Sequence, residues 1–209
     1  KEETNTPAAA MTRRVGQRIA TAADEPDPEL PGRAKFDWEF HTLTSDTPNA
    51  FCLPGGKIFV YTGLLKYATT DAELAAVIGH EVGHAIARHG AERASQSQAA
   101  GLVGSVGSAI LGPVFDAAYG LGVNYGVLLP YGRLQESEAD YIGLLLMAKA
   151  GYDPSAALAF WEKMATAGGG KPPEWMSTHP SDQSRIAAIK QQLPKAMAVY
   201  KARQGNATP

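Results

Sequence analysis

The chain has 209 residues, of which 44% are hydrophobic, so it can bury one sizeable core and does not require a second domain. Its formal net charge is −2 at pH 7 and its basic residues are scattered, which argues against a nucleic-acid partner. Cys52 is the only cysteine, so an internal disulfide bond is excluded and the compartment is left open. Because Cys52 lies in an apolar stretch, we interpret it as a buried side chain rather than a nucleophile.

The first 34 residues are predicted to form an arm outside the main domain. Residues 1–10 have the composition of a disordered segment, and residues 11–23 have the apolar spacing of a short helix. Residues 24–32 are rich in proline and acidic side chains, which is typical of a linker. We therefore expect the main domain to span residues 35–195.

Three stretches that follow are predicted to be extended. Residues 36–43 alternate apolar and polar side chains, and we interpret His41 among them as structural rather than as a metal ligand. Residues 52–53 and 57–61 predict two further extended segments around a tight turn at residues 54–56, Pro-Gly-Gly.

Residues 71–90, DAELAAVIGHEVGHAIARHG, predict a buried helix that carries a metal-binding motif. The segment is rich in alanine, contains no proline and follows a threonine that can cap its first turn. His80 and His84 are four residues apart, so both imidazoles lie on one face and can bind one metal ion. Glu81 is then placed to take a proton from the water that the metal activates. The alternative, a pair of surface histidines, is disfavoured by the apolar character of the helix.

Two histidines do not complete a catalytic zinc site, which needs a third protein ligand and one position for water. The HExxHxxGxxH pattern of metzincins is absent, because Ala87 and Gly90 occupy its last two defined positions. On a second helix, Glu136 and Asp140 are four residues apart and share one face, whereas Glu138 points elsewhere. We interpret Glu136 as the third ligand and Asp140 as the acceptor that orients one ligand histidine. The alternative is an acidic helix start favoured by the helix dipole.

The segment between these two helices, residues 99–126, is rich in glycine, alanine and serine. Its apolar portions are shorter than the ~20 residues that a membrane-spanning helix needs. Each glycine also weakens a helix, by roughly 0.5–1 kcal/mol relative to alanine. We predict a mobile hairpin or lid; membrane contact and ordinary core packing are the alternatives.

The C-terminal third is predicted to be helical. The helix that carries Glu136 is expected to end near residue 150, and further helices are expected over residues 155–166 and 181–193. A C-terminal tail is expected over residues 196–209.

Two polar residues of this part are candidates for the site. His179 precedes the last helix and is a candidate catalytic residue that would donate to the tetrahedral intermediate; the alternative is a surface-loop histidine. Arg185 is expected to neutralise Asp140 or Glu136, or else to serve packing alone.

These motifs jointly resemble one family of zinc metallopeptidases. HEVGHAIARHG is preceded by NAFCLPGGKIFVYTG at residues 49–63 and followed by ESEAD, by STHP at residues 177–180 and by Arg185-Ile186. The arrangement resembles metallopeptidase family 48, which includes HtpX, BepA, the mitochondrial Oma-type protease and the CAAX prenyl protease. The likeness spans residues 36–193, and it is to the soluble BepA and Oma-type members because the long membrane spans of the others are missing.

The resemblance implies a mainly helical α+β fold of the zincin type, with gluzincin-like ligands and a small β-sheet beside the HExxH helix. It also implies that the strand at residues 57–61 offers an open edge to an extended peptide, by main-chain pairing that demands little of the substrate's sequence. The alternative is an ordinary interior strand. The residues expected to bind substrate are Gly56, Lys57, Ile58, Phe59 and Val60.

Together, the motifs and the resemblance predict a metalloendopeptidase with one Zn²⁺ per chain, acting on polypeptides, expected to be unfolded or misassembled envelope proteins. One alternative is a latent zinc-bearing chaperone or scaffold, held closed by the His179 loop. An intact Glu81 argues against it, because a scaffold has no need of a catalytic base. Another is a zinc hydrolase of small molecules, against which a peptide-binding strand edge would argue.

The resemblance further implies a place in the bacterial periplasm, or on a membrane-anchored lipoprotein that faces it. The chain begins at Lys1 and shows no signal peptide, so we expect that a leader was removed. The expected partners are a polypeptide substrate and a peripheral-membrane or outer-membrane assembly contact, and the sequence does not predict the oligomeric state.

Overall fold

In the computed structural model, the residues described are 1–30, 36–53, 55–95, 98, 129–166, 179 and 183–206. Within them the protein is mainly helical with one small mixed sheet, as predicted. The strands are β1 (Glu2–Glu3), β2 (Glu39–Leu43), β3 (Ala50–Leu53) and β4 (Lys57–Tyr61). The α-helices are α1 (Pro7–Asp24), α2 (Asp71–Ile86), α3 (Leu129–Lys149), α4 (Ser155–Thr166) and α5 (Gln183–Asn206).

Helix α1 belongs to the core rather than to a separate arm. It begins directly after Thr6, whose hydroxyl accepts a hydrogen bond from the backbone N–H of Ala9 at 3.2 Å, and Pro7 occupies its first turn. Ile19 of this helix is fully buried in the main hydrophobic cluster. The predictions of a disordered start and of a domain boundary at residue 35 are therefore wrong, because β1 pairs with β2 and α1 packs on the core.

The four strands form one sheet in the order β1-β2-β4-β3. β2 pairs with β4 in parallel, from Glu39 opposite Lys57 to Leu43 opposite Tyr61, and β3 pairs antiparallel with the other side of β4. The expectation that β4 offers an open edge is therefore wrong, since it is hydrogen-bonded along both sides. Local alternation of side chains does not reveal which strand is inserted between two others. Among the described residues, the outer strand on this side of the sheet is β3.

Helix α2 runs through the core. Thr70 and Glu73 form a capping box, in which each side chain accepts a hydrogen bond from the backbone N–H of the other at 3.2 Å. Nearly every residue from Glu73 to the end of the helix is buried. The helix ends at Ile86, one turn before the predicted stop at Gly90, and Arg88 follows with a left-handed φ of 58°.

Helices α3 and α5 differ in how well the sequence predicts their ends. Gly151, with φ of 77°, follows the end of α3, as glycine commonly does. Helix α5 instead continues through Pro194 to Asn206, so the predicted end at residue 193 and the separate tail are wrong. Ala196 is buried beyond the proline and Arg203 forms an ion pair with Glu25, so tertiary contacts hold the part of α5 that follows the proline against the protein.

The packing divides the chain into two units. One comprises residues 1–87 with 137–209 and contains the core described above, and the other comprises residues 88–136. The Gly-rich segment 99–126, predicted as a hairpin or lid, lies outside the described residues. Across the described part of the chain, we find no helix that is long and apolar enough to cross a membrane.

Candidate metal centre

Helices α2 and α3 approach closely along a seam of small residues. We define this glycine seam as Gly79 and Gly83 on α2 with Ala139 and Gly143 on α3. A Cβ atom at Gly83 would lie 2.8 Å from the carbonyl oxygen of Ala139, and one at Gly143 would lie 3.0 Å from the backbone nitrogen of His80. Such distances leave no room for a larger side chain. Contact between the two backbones therefore brings His80 next to the helix that carries the predicted carboxylates.

Three buried imidazoles meet beside this seam. Nε2 of His80 lies 3.0 Å from Nε2 of His84 and 3.1 Å from Nδ1 of His179. All three rings are nearly inaccessible, with exposures of 1%, 8% and 7%. The first two come from one face of α2, as their four-residue spacing predicts.

The predicted third ligand belongs to the same group. Glu136 is buried and lies one turn before Asp140 on α3. One donor atom from each of His80, His84, Glu136 and His179 lies within 4.8 Å of the other three. These four residues, which we call the His/Glu group, could hold a metal ion. His179, predicted as a catalytic residue, thus lies among the possible ligands.

Asp140 forms hydrogen bonds with both His80 and Arg185. Oδ1 of Asp140 lies 2.9 Å from Nδ1 of His80, and Arg185 donates from Nε to Oδ2 at 2.6 Å and from Nη2 to Oδ1 at 2.8 Å. Burial by itself would raise the pKa of Asp140, but the charge of Arg185 and the hydrogen bonds from both neighbours lower it overall. The carboxylate is therefore ionised. Of the two carboxylates that Arg185 was predicted to neutralise, Asp140 is the one it binds through this two-pronged contact.

Glu81 lies beside the His/Glu group and close to β3. Its Oε1 atom is 3.5 Å from Nε2 of His179, and its side chain is buried. Helix α2 packs against β3, where Cys52 is half-buried rather than fully buried as predicted; this burial and the charge of Glu81 raise the pKa of its thiol to about 12. The thiol is therefore protonated at neutral pH, as expected for a residue that is not a nucleophile.

The structure does not support β4 as the substrate strand. Ile58 and Val60 are fully buried in the core. Lys57 and Phe59 alternate with them on the opposite face of the sheet, where Lys57 forms an ion pair with Glu39. Since both backbone edges of β4 are already paired, neither is available to a peptide.

Two features of the centre were not predicted. The glycine seam left a signal in the sequence, since Gly79 and Gly83 are four residues apart and directly precede the two histidines that are predicted as ligands. Trp161 on α4 left none: its ring centroid lies 3.6 Å from Cζ of Arg185, a contact that no local pattern indicates.

Comparison with known proteins identifies the family. The model of Peptidase family M48 matches residues 8–193. The mitochondrial metalloendopeptidase OMA1 of Schizosaccharomyces pombe is 44% identical over 167 residues, which cover 79% of this chain and 49% of that protein. The human mitochondrial metalloendopeptidase OMA1 is 35% identical over 184 residues, covering 82% and 35%. The Beta-barrel assembly-enhancing protease of Escherichia coli is 30% identical over 184 residues, covering 83% and 36%.

These relatives correct the expected location. The predicted place in the bacterial periplasm, or on a lipoprotein facing it, is contradicted, because the relatives from fission yeast, Arabidopsis thaliana, baker's yeast and human, at 35–44% identity, are mitochondrial metalloendopeptidases. The bacterial protease is a more distant relative at 30% identity. The location had been inferred from the resemblance alone, and no residue of the chain specifies a compartment.

The chain spans about half, or less, of the length of the curated relatives it matches. The three relatives described above are named as proteases or metalloendopeptidases, in agreement with the predicted reaction. The matched region contains every residue of the His/Glu group together with Glu81, Asp140 and Arg185. The predicted family is confirmed: the chain belongs to peptidase family M48.

Proposed function

We propose that this domain is a zinc-dependent metalloendopeptidase with a zincin-type fold, acting on extended polypeptides. The observation that carries the proposal is the buried His/Glu group with the carboxylate of Glu81 beside it. The metalloendopeptidases among the relatives support the same reaction class.

The donor atoms of the His/Glu group fit Zn²⁺. Zinc binds imidazole nitrogen and carboxylate oxygen tetrahedrally at about 2.0–2.2 Å, so two donors on one ion are roughly 3.3 Å apart. The separations of 3.0 and 3.1 Å between the ring nitrogens are close to this value. Because Nδ1–H of His80 donates to Asp140, its Nε2 presents a lone pair to the group. We assign one Zn²⁺ per chain to His80, His84 and Glu136.

Glu81 is assigned as the general base. When bound, zinc lowers the pKa of a water molecule and polarises the scissile carbonyl. The Glu81 carboxylate takes the proton of the attacking water and passes it to the leaving amine. Its burial holds it at the His/Glu group and keeps competing solvent away.

Asp140 and Arg185 keep the site in its working geometry. Asp140 fixes the tautomer and the plane of the His80 ring, and Arg185 fixes the position of both oxygens of Asp140.

A second candidate function is a latent form of the same site, in which His179 is the residue that keeps the site closed. A catalytic zinc site keeps one position open for water and substrate. Nδ1 of His179 is 3.1 Å from Nε2 of His80, so His179 would supply a fourth protein donor in place of water, which favours a closed state. In the open state, displaced from this place, His179 would be the donor that stabilises the oxyanion.

The strand edge that favours substrate binding is β3 rather than β4. β3 (Ala50–Leu53) is hydrogen-bonded to β4 on one side and packs beside α2, near Glu81. An extended polypeptide that paired with the backbone of β3 would be held by main-chain hydrogen bonds, with little demand on its sequence. Unfolded segments are the substrates that meet this requirement.

The deciding experiment compares cleavage of unfolded casein by the wild-type chain and by Glu81→Gln, each loaded with one zinc. The wild type is expected to cut, and the variant to keep its zinc and lose about 10²–10⁴-fold in rate. Equal rates would remove Glu81 from the role of base. If neither protein cuts although both hold zinc, the latent form gains support, and His179→Ala should then raise the rate.

The ligand assignment is tested separately by metal analysis. Glu136→Ala should lower zinc affinity by more than ~100-fold, since an inner ligand counts for more than the partners that orient it. Glu138→Ala, two residues along on the exposed side of α3, is the matched control and should keep its zinc through dialysis. Full occupancy in Glu136→Ala would leave His179 as the third ligand.

A further inference from the structure

Trp161 lies next to the His/Glu group and contacts His80 and Arg185, two residues that form hydrogen bonds with Asp140. Its side chain is almost completely buried on α4. Its ring lies against the guanidinium of Arg185, with 3.6 Å from Cζ to the ring centroid, and meets the ring of His80 edge-on at 5.9 Å between centroids. Indole is the aromatic ring that binds a cation most strongly, and the contact is strongest where water is excluded, as it is here.

The contact between the Trp161 ring and the guanidinium of Arg185 limits how Arg185 can bind Asp140. An arginine side chain has many rotamers, but its guanidinium is flat, and a flat neighbour on one face restricts the plane of the fork. Two of its donors, on Nε and Nη2, bind the two oxygens of Asp140, so the plane of the guanidinium sets the plane of the carboxylate. The carboxylate in turn sets the rotation of the His80 ring through Nδ1.

A small cavity adds a second reason for an indole at this place. The cavity has a volume of about 10 Å³ and is lined by His80, Asp140 and Trp161, among other residues. This is close to the minimum that a single water molecule requires. A smaller side chain at position 161 would enlarge the cavity and admit water that competes for the charged hydrogen bonds of Asp140.

We propose that Trp161 is a positioning residue of the metal centre, which acts through Arg185 and Asp140 on the His80 ring. The inference rests on the proposed function only in that the His/Glu group holds zinc; it does not require that peptide hydrolysis be observed. Trp161 thereby fixes the direction in which Nε2 of His80 points.

The test measures zinc affinity by competition with a chelator, together with the visible absorption spectrum of the cobalt-substituted protein. Trp161→Leu should weaken zinc binding about 10–100-fold, the usual range for partners that orient a ligand, and should change the cobalt spectrum. Trp161→Phe keeps a flat ring that attracts a cation less strongly than indole does, and its zinc affinity should fall only about 3-fold. If the leucine variant does not fold, the phenylalanine variant decides: wild-type affinity with an unchanged spectrum overturns the proposal.

Two controls separate positioning from packing. Met164→Ala removes a fully buried side chain of the same helix and should lower Tm while leaving zinc affinity and the cobalt spectrum unchanged. In an Arg185→Lys background, which keeps a cation but has no flat fork, Trp161→Phe and Trp161→Leu should change zinc affinity by less than twofold. Equal losses in both backgrounds would show that Trp161 does not act through Arg185. A wild-type chain that fails to bind zinc would instead refute the proposed function.

Discussion

The two ends of α5 are tied to the protein by arginines in opposite surroundings. Near its start, Arg185 binds Asp140 with both partners about 95% buried. Near its end, Arg203 binds Glu25 through two hydrogen bonds of 2.7 and 2.9 Å, with side chains 49% and 32% exposed. The hydrogen-bond lengths are similar at both ends, but the exposure to water differs greatly.

This contrast shows that burial, rather than bond length, decides what an ion pair does. At the exposed end, the hydrogen bonds from Arg203 lower the pKa of Glu25, but water and salt screen the attraction. At the buried end, neither charge of the Arg185–Asp140 pair can exchange its partner for water, so removing one residue leaves the other as an unpaired buried charge. The buried pair can therefore hold His80 in one orientation, which the exposed pair could not do for a neighbour.

The largest effect is expected when the buried pair is broken. Arg185→Leu should lower the free energy of unfolding by about 3–5 kcal/mol, because it leaves the Asp140 carboxylate buried without its cation. Denaturant unfolding of the metal-free protein measures this change. A loss below 1 kcal/mol would mean that the two ends of α5 do not differ as the burial implies.

A smaller effect is expected when the carboxylate is neutralised in place. Asp140→Asn keeps the shape but removes the charged acceptor of His80, so zinc affinity should fall about 10–100-fold. Competition with a chelator at pH 7 measures the dissociation constant. An unchanged constant would show that His80 is oriented by its other neighbours.

Breaking the exposed Arg203–Glu25 pair should lower the free energy of unfolding less than breaking the buried pair. Arg203→Ala is expected to lower the free energy of unfolding by about 0.2–1 kcal/mol at low salt, and by less in ~1 M salt. Zinc affinity should not change. A salt-independent loss of several kcal/mol would place this pair in the same class as the buried one.

The smallest effect is expected at a site of intermediate exposure. His41 lies between the carboxylates of Glu2 on β1 and Glu39 on β2, at 2.7 and 3.1 Å, and stacks on Phe59 of β4. The hydrogen bond that His41 donates to Glu2 and, after it, the one that it donates to Glu39 raise the pKa of His41 above 6.5 in spite of partial burial, and Lys57 competes for Glu39.

A raised pKa in the folded state means that the imidazolium stabilises the fold below pH ~6.5 and that this contribution is lost as pH rises through the folded value. The wild type should therefore exceed His41→Gln in stability by a few tenths of a kcal/mol at pH 5.5, and the difference should vanish by pH 9. A stability difference between wild type and His41→Gln that is the same at pH 5.5 and pH 9 would contradict a raised pKa of His41.

Helical spacing accounts for most of what the sequence predicted correctly. His80 with His84, and Glu136 with Asp140, are each four residues apart, and this spacing places each pair on one helix face whatever the rest of the fold does. The partner of Arg185 could not be chosen from the sequence, because both carboxylates of the second pair share that face. Only the three-dimensional path of α5 brings Arg185 to Asp140.

The wrong predictions concern features that depend on contacts between segments far apart in the sequence. The order of strands depends on which segments pair, and the pattern of residues 57–61 is the same in an interior strand as in an edge strand. Pro194 predicts a helix end locally, but α5 continues past it and makes tertiary contacts that the local sequence does not show. The missed start of α1 is different, since Thr6 and Pro7 are an ordinary helix-start signal that the sequence did contain.

The glycine seam has a consequence for how such proteins diversify. Glycine is a poor helix former, so replacing Gly83 by alanine would be favourable in an isolated helix, by roughly 0.5–1 kcal/mol. In this protein the added methyl group would collide with the backbone at Ala139 and push the two helices apart. Selection for a more stable helix and selection for a working metal centre therefore oppose each other at this residue. A variant of this chain that kept HExxH but carried bulky residues at Gly79, Gly83 and Gly143 would retain the motif and lose the close helix contact that places His80 beside α3.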